Sequence, residues 1–489
     1  MKKIRLLAYA ILTSFSILSC TDAYEIIQDG ELTEEVALQT TKDLRAFLNG
    51  NVYGALNTQN EIWLTSVLTD ETGIAPGNSG WYFAEHRYIL TPDNGYVAGI
   101  WGSHYRLINR VNRLLKAAEG ITPAAGLETQ RFNSVLAEAR AMRALAYLQL
   151  QSYFTTDMAD DSALGVMLLT DVPELMVQLP RVSNAQIYAL MEEDLNFADA
   201  NLKTDDLQNP LTYKFVTKGM IHATMARMYA YREMYSLAKQ HAQWVVSNGP
   251  ALTPAASYAT IWSDAAQGEV IFARSHPSTE GTGGIAGFWT TNTTDINGSP
   301  FLKMGMNLYN QYTPVPNWGD IRKTVFADGS SQPNVIIINK YPGKGNTPLR
   351  NDVKVFRTSE MYFILAEAAV AEGDLATAAT MVRSVRLARK IASNTTSVPV
   401  STYATPVDAW RDILKERRLE LSFEGHRYVD LRRLGAVAGV SIDRSPLDDG
   451  GAFLNAPLTL PITDYRWTLP IPAAEKLGNP GIVQNPGYN

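Results

Sequence analysis

SEMYFILAEAAVAEGDLATAATMVRSVRLARK, residues 359–390, carries two apolar stripes at helical spacing with one short break between them. Leu365, Ala366, Ala369 and Val370 recur at steps of three and four, which places them on one side of a first helix. Gly373 can close that helix in a left-handed turn. Asp374 can cap the next helix, whose stripe is Leu375, Ala378, Ala379, Val382 and Val385. Ser359 is the expected cap of the first. Small residues at the facing positions let the two axes approach closely, which is tetratricopeptide-like pairing.

The same style extends outward. In residues 134–153, Val135, Ala139, Met142, Ala146, Leu150 and Tyr153 form a stripe, and in Lys218–Tyr231 so do Ile221, Thr224, Met225, Met228 and Tyr229. Residues 236–246 follow as a partner helix. The spacing between pairs is irregular, so the expectation is a degenerate solenoid. The fold class read from this is mostly α: a tetratricopeptide-like scaffold of irregular helix pairs, about 40–70, 101–248 and 355–435, with a loop-rich, minor-β half. The loop-rich segments are about 70–100 and 249–350, with strand-like runs at 269–274 and 334–340. Loops this long inside a compact chain are functional or disordered, and their many aromatics argue for order. Residues 441–489 are proline-rich and read as extended.

The chain has 489 residues, 46% hydrophobic and 10% aromatic, enough for a large core. Its net charge of −6 becomes more negative if Lys2, Lys3 and Arg5 leave with a signal segment. Such a balance speaks against nucleic acid as a partner, because phosphate affinity comes from clustered Lys and Arg. The start has a secretory layout: those three basic residues, then the apolar run from Leu6 to Leu18. Ile17-Leu18-Ser19-Cys20 resembles a lipoprotein cleavage box, and Cys20 is the only cysteine in the sequence. Residues 1–19 are therefore expected to be a signal peptide and Cys20 the lipidated first residue of a single domain, 20–489. Beyond the first twenty residues, no uninterrupted apolar stretch reaches the ~20 residues that span a bilayer.

Nucleophile, phosphate and metal signatures are missing from the sequence. Gly77-Asn78-Ser79-Gly80 lacks nucleophile-elbow spacing. Gly281-Thr282-Gly283-Gly284-Ile285-Ala286 fits a dinucleotide fingerprint by letter, but Pro277 precedes it and no long helix follows. The six histidines form no metal-binding motif. No cofactor is expected, although loop carbonyls and scattered acids leave room for a structural calcium. Residues 416–433 hold Glu416, Glu420, Glu424, His426 and Asp430, a set that could serve acid, base or metal chemistry. The arginines among them (Arg417, Arg418, Arg427, Arg432 and Arg433) favour a buried structural network with lowered carboxylate pKa values. Arg417 is expected to pair with Glu420 at i+3.

Three groups of loop aromatics point to ligand binding. Sugars present apolar C–H faces between hydroxyls, so a site wants flat rings with polar groups at their edges. Trp81 and Tyr82 lie beside Asn78 and close to Asp70. Phe288 and Trp289 lie next to Asn292. Tyr309, Tyr312 and Trp318 lie near Asn307, Gln311, Asn317 and Asp320. Trp244 and Trp410 sit on helices and belong to core packing.

Residues 357–368 (RTSEMYFILAEA), residues 416–433 (ERRLELSFEGHRYVDLRR), and Pro470-Ile471-Pro472 followed by Gln484-Asn485-Pro486-Gly487-Tyr488 together resemble the SusD/RagB family. Their order, the terminal position of the last and the lipobox-like start all match. The resemblance implies an outer-membrane lipoprotein facing the cell exterior, with a tetratricopeptide-like half and a ligand-contacting half. It implies a non-catalytic role: capture of an oligosaccharide and delivery to a SusC-type TonB-dependent transporter. The alternatives are an oligopeptide receptor of the RagB kind, a surface glycoside hydrolase, and a structural or adhesive surface protein.

Overall fold

In the computed structural model of the chain, the described residues are 37–488 except 175–176, 204–212, 277–283, 290–299, 315, 330–333, 346 and 451–454. Cys20 and Asn292 lie outside them.

The described residues form a mostly helical protein with four short two-stranded antiparallel ladders, the class expected from sequence. The helices used below are α1 (Thr41–Phe47), α2 (Gln59–Leu68), α3 (Gly95–Ala118), α4 (Leu127–Phe154), α5 (Asn184–Asn201), α6 (Lys218–Tyr231), α7 (Tyr235–Asn248), α8 (Thr358–Ala371), α9 (Leu375–Arg389), α10 (Pro406–Leu421) and α11 (Arg427–Ala438). Neighbours in sequence pack on one another: α3 on α4, α4 on α5, α6 on α7, α8 on α9, α10 on α11. α7 also packs on α8, and α8 on α10, so the pairs join into one array. The starts are capped locally. Thr40 and Asp43 form a reciprocal capping box at α1, and Thr405 and Asp408 do so at α10.

The hairpin at 359–390 forms with one correction. Gly373 takes φ 82° between α8 and α9, and the Asp374 carboxylate accepts the Thr377 amide at 2.9 Å. Ser359, however, is no cap. It lies buried in the first turn of α8, whose N-cap is Arg357. The strand Val353–Arg357 runs straight into the helix, and the Thr358 amide donates to the Glu269 carbonyl at 3.0 Å. The ladder thus fixes the helix entry that a capping side chain would otherwise fix.

The strands are β1 (Thr72–Ile74), β2 (Leu164–Met167), β3 (Arg181–Ser183), β4 (Val270–Arg274), β5 (Leu302–Met304), β6 (Ala327–Gly329), β7 (Ile336–Ile338) and β8 (Val353–Arg357). The pairs are β1 with β5, β2 with β3, β4 with β8 and β6 with β7. The runs read as strand-like at 269–274 and 334–340 are β4 and β7.

Two main cores result. The larger fills the helical array. The second lies under the loop-rich half and is aromatic: Tyr258, Trp262, Trp289, Tyr312, Phe326, Tyr341 and Phe423. Between them runs a buried seam of charge. Arg357 reaches Glu269 at 2.6 Å, Glu420 at 2.7 Å and Glu424 at 2.6 Å. Arg389 meets Glu269 and Glu420 at 2.8 Å, and Arg322 meets Asp320 at 2.6 Å and Glu416 at 2.7 Å. Arg389 also lies 4.0 Å from the Tyr258 ring centroid, and Arg227 lies 3.9 Å from that of Phe356. The guanidiniums thus contact both cores. Such pairs are costly to bury, and their removal in part costs more than their presence gains. They fix how the two halves fit together.

Candidate functional site

Residues 75–82 leave β1 and reach the surface. Two hydrogen bonds hold this loop to the start of β5: the Ala75 amide donates to the Phe301 carbonyl at 3.2 Å, and Asn78 Nδ2 donates to the same oxygen at 2.6 Å. Ser79 and Tyr82 sit at φ 61° and 64°, conformations that cost L-residues ~1–2 kcal/mol each. This strain turns Trp81 outward. Trp81 is 55% exposed, the most exposed of the tryptophans among the described residues.

Beneath Trp81 the rings form a continuous platform. Its centroid lies 5.5 Å from Phe301 and 6.1 Å from Tyr82. Tyr82 lies 4.3 Å from Phe288, and Phe288 stacks on Trp63 at 5.2 Å with an interplanar angle of 6°. Tyr96, in the first turn of α3, meets Phe288 edge-on at 5.6 Å. Trp63 Nε1 donates to the Ile285 carbonyl at 2.9 Å. Tyr82, Phe301, Tyr96 and Trp63 are each half-buried. Burial raises the Tyr82 and Tyr96 hydroxyls above the ordinary tyrosine value, so both remain neutral donors and acceptors at the rim. Asn94 Nδ2 donates to Glu85 at 2.8 Å beside them.

Of the other predicted residues, Phe288 and Asn78 belong to this patch, while Trp289, Tyr312, Trp318 and Asp70 are buried away from it. Trp289 is only 2% exposed. It stacks on Tyr341 at 5.8 Å and meets Phe423 at 5.7 Å inside the second core. Tyr312 is buried, and its hydroxyl donates to the Leu419 carbonyl at 3.0 Å. Trp318 is buried too. Phe288 is mostly buried and supports the platform from below. Asn78 spends its amide on the loop. Asp70 is buried and bidentate to Arg427, with both oxygens at 2.8 Å, and also accepts the Asp443 amide at 3.0 Å. Burial raises this carboxyl, but Arg418 and Arg427 outweigh burial and hold it well below the usual carboxylate range. Asp70 therefore ties the loop-rich half to α10 and α11. Trp63, Tyr96 and Phe301 were not singled out from sequence. Trp63 lies in a segment read as helical, Tyr96 lies in the segment 70–100 read as loop although it falls in the first turn of α3, and Phe301 reached the patch only through the β1–β5 pairing.

The acids of residues 416–433 are all in ion pairs. Glu416 pairs with Arg322 and Arg386, Glu420 with Arg357 and Arg389, and Glu424 with Arg357 and Lys340. Burial pushes each of these carboxyls up, and the neighbouring cations more than reverse it. Asp430 follows the same rule through Arg417 and Arg433. Arg417 pairs with Asp430 at 2.7 Å and Glu367 at 3.3 Å, not with Glu420 as expected. Its side chain faces α8 and α11, while Glu420 turns into the seam. Glu71 lies outside this stretch, and sequence reading passed over it. Burial, helped by the charge of Asp70, pushes it up to about 8. One oxygen accepts the Phe423 amide at 3.1 Å, and the other has no hydrogen-bond partner among the described residues. Among the described residues no group of three or more His, Cys, Asp or Glu is placed to hold a metal ion. No helix among them is long and apolar enough to cross a membrane.

Residues 327–488 match the model of the SusD family. A SusD-like protein P2 of Formosa agariphila is 23% identical over 540 residues, spanning the whole of both chains. A SusD superfamily protein of Bacteroides thetaiotaomicron superposes with a TM-score of 0.75 at 24% identity, covering 91% of this chain and all of that one. A SusD-like carbohydrate binding protein of Bacteroides vulgatus gives 0.73 at 17% identity, covering 91% of this chain and 97% of that one. The SusD/RagB resemblance therefore holds, in the C-terminal third as a family match and along the chain as a fold.

Proposed function

We propose that this chain, with its SusD-family C-terminal third and its SusD fold, binds an oligosaccharide at the cell surface and passes it intact to a SusC-type TonB-dependent transporter. The observation that carries this reading is the platform: an exposed tryptophan, set outward by strained backbone, on a contiguous floor of half-buried rings. A pyranose face laid on Trp81 gains C–H contact with the ring, and the Tyr82 and Tyr96 hydroxyls lie within the same patch for hydrogen bonds. The ion-paired acids of residues 416–433 favour retention over hydrolysis, since a general acid needs a raised pKa. The lipobox-like start supports attachment to the outer membrane through Cys20, where several acyl chains make a durable anchor.

The test is affinity electrophoresis of the purified protein against a panel of glycans, followed by calorimetry with the best ligand. Trp81→Ala is expected to weaken binding about tenfold, the order of one aromatic stacking contact with its buried area, while the thermal melt stays unchanged. Full retention of a confirmed ligand by Trp81→Ala would remove the platform as the site.

A further inference from the structure

α6 packs on α7 and on α5, and the first of these contacts brings two histidines together from 19 positions apart in sequence. His222 Nδ1, on α6, lies 2.9 Å from His241 Nδ1, on α7. The ring centroids are 5.1 Å apart, so the two nitrogens meet nearly head-on. Nitrogens this close hold one proton between them at most, because two N–H groups aimed at each other repel. One ring therefore donates and the other offers a lone pair.

Both rings are held from outside the pair. Trp244 stacks on His222 at 3.9 Å with an interplanar angle of 19°. Tyr229 stacks on His241 at 5.7 Å and 15°. The far nitrogen of His222, Nε2, lies 3.5 Å from Asp199 Oδ1 on α5, and the same oxygen pairs with Lys218 at 2.8 Å. A proton on Nε2 thus faces a carboxylate, which leaves Nδ1 of His222 as the bare nitrogen. A carboxylate behind the ring is the arrangement that orients histidines at metal centres. His241 alone among the six histidines is not buried, so the pair opens to solvent on its side.

We propose that His222 and His241 bind a divalent transition-metal ion of the Zn²⁺ kind through their Nδ1 atoms, in place of the proton they share. The site is independent of the glycan reading, since none of α5, α6 and α7 carries a platform ring. Neutral imidazole suits Zn²⁺, Ni²⁺ and Cu²⁺, whereas Ca²⁺ and Mg²⁺ call for oxygen ligands. A tetrahedral ion with Zn–N bonds of ~2.0–2.1 Å sets its ligand nitrogens about 3.3–3.4 Å apart. The pair has to open by only about half an ångström to reach that geometry. No third His, Cys, Asp or Glu among the described residues completes the set, so water fills the remaining positions, as at an open site. The displaced proton passes through solvent to Nε2 of His241, and both rings stay neutral. Bound there, the ion ties α6 to α7.

The experiment is calorimetry on the purified chain without a histidine tag, titrated with Zn²⁺, with Ni²⁺ and with Ca²⁺, beside thermal melts in each ion. One equivalent of Zn²⁺ is expected to bind and to raise the melting temperature, because the folded chain alone brings the two rings together. His241→Gln is expected to lose at least tenfold in Zn²⁺ affinity and to lose the Zn²⁺-dependent rise in melting temperature. Should that variant fail to fold, Asp199→Asn serves, because its side chain is 40% exposed. It is expected to weaken Zn²⁺ about tenfold, the lower end of what loss of such a supporting carboxylate costs. Absence of Zn²⁺ binding to the wild type overturns the proposal. So does Zn²⁺ binding that survives unchanged in these variants, which places the ion elsewhere, and so does Ca²⁺ that competes with Zn²⁺ for the same equivalent.

Discussion

Replacing Asp70 by Asn tests whether this residue holds the fold or the ligand. The carboxylate accepts two charge-assisted hydrogen bonds from Arg427 at 2.8 Å and the Asp443 amide at 3.0 Å. Arg418 Nε lies 3.3 Å from the same carboxylate. Asn keeps one acceptor oxygen but turns an amide group toward two guanidiniums that are themselves buried. Breaking a buried pair in this way costs ~3–5 kcal/mol, because an unanswered charge stays inside. The sign with pH follows from the depressed folded pKa. Against an unfolded value of 3.8, the stabilisation is complete at neutral pH and is lost only as pH falls below it toward the folded value. Asn does not titrate, so the stability gap between Asp70→Asn and the wild type should be widest near pH 7 and should narrow in acid. Urea titrations from pH 3 to pH 8 measure that gap. Glycan affinity per folded molecule should stay at the wild-type level. A variant with wild-type stability that no longer binds its glycan would refute the structural assignment and return Asp70 to the site.

Glu71 runs the other way: with a folded value of about 8 against 4.5, it keeps a proton that the unfolded chain gives up. Wild-type stability should therefore fall between pH 4.5 and pH 8 on this residue's account. Glu71→Gln should flatten that slope and raise the melting temperature at pH 8; parallel melting curves for the two proteins across that range would show the residue is already ionised. Trp289→Ala should cost ~3–5 kcal/mol of stability as a core truncation, read by urea denaturation, and a loss below 1 kcal/mol would mean the ring is not packed as described. Cys20→Ser should move the protein from the membrane fraction to the soluble fraction, and persistence in the membrane fraction would defeat the lipid-anchor proposal.

Much of the scaffold is legible in sequence because helix chemistry is local. Gly373 and Asp374 end one helix and begin the next through residues a few positions away, and the alanine stripes at 359–390 need no distant partner to declare their period. The ion-pair character of residues 416–433 is legible for a similar reason, since acids and arginines alternate within two turns. Partner choice is not: Arg417 turns to Asp430 and Glu367 because α8 and α11 lie on its side, a fact of packing. The start of α8 also escapes local rules, because the pairing of the preceding strand β8 with the distant β4 fixes it in place of Ser359.

The candidate site divides the same way. The segments containing Trp81 and Trp289 look alike in sequence, each an aromatic run among Gly, Asn and Thr, and composition alone says only that such loops carry rings. Which ring meets water depends on what covers it. Trp289 ends up under Tyr341 and Phe423, while the β1–β5 pairing and the αL backbone at Tyr82 lift Trp81 away from the core. Asp70 and Arg427 stand 357 positions apart. The residues themselves set the periods, caps and charges. Exposure and pairing were set by the closure of distant segments, because both depend on which surfaces the folded chain removes from water.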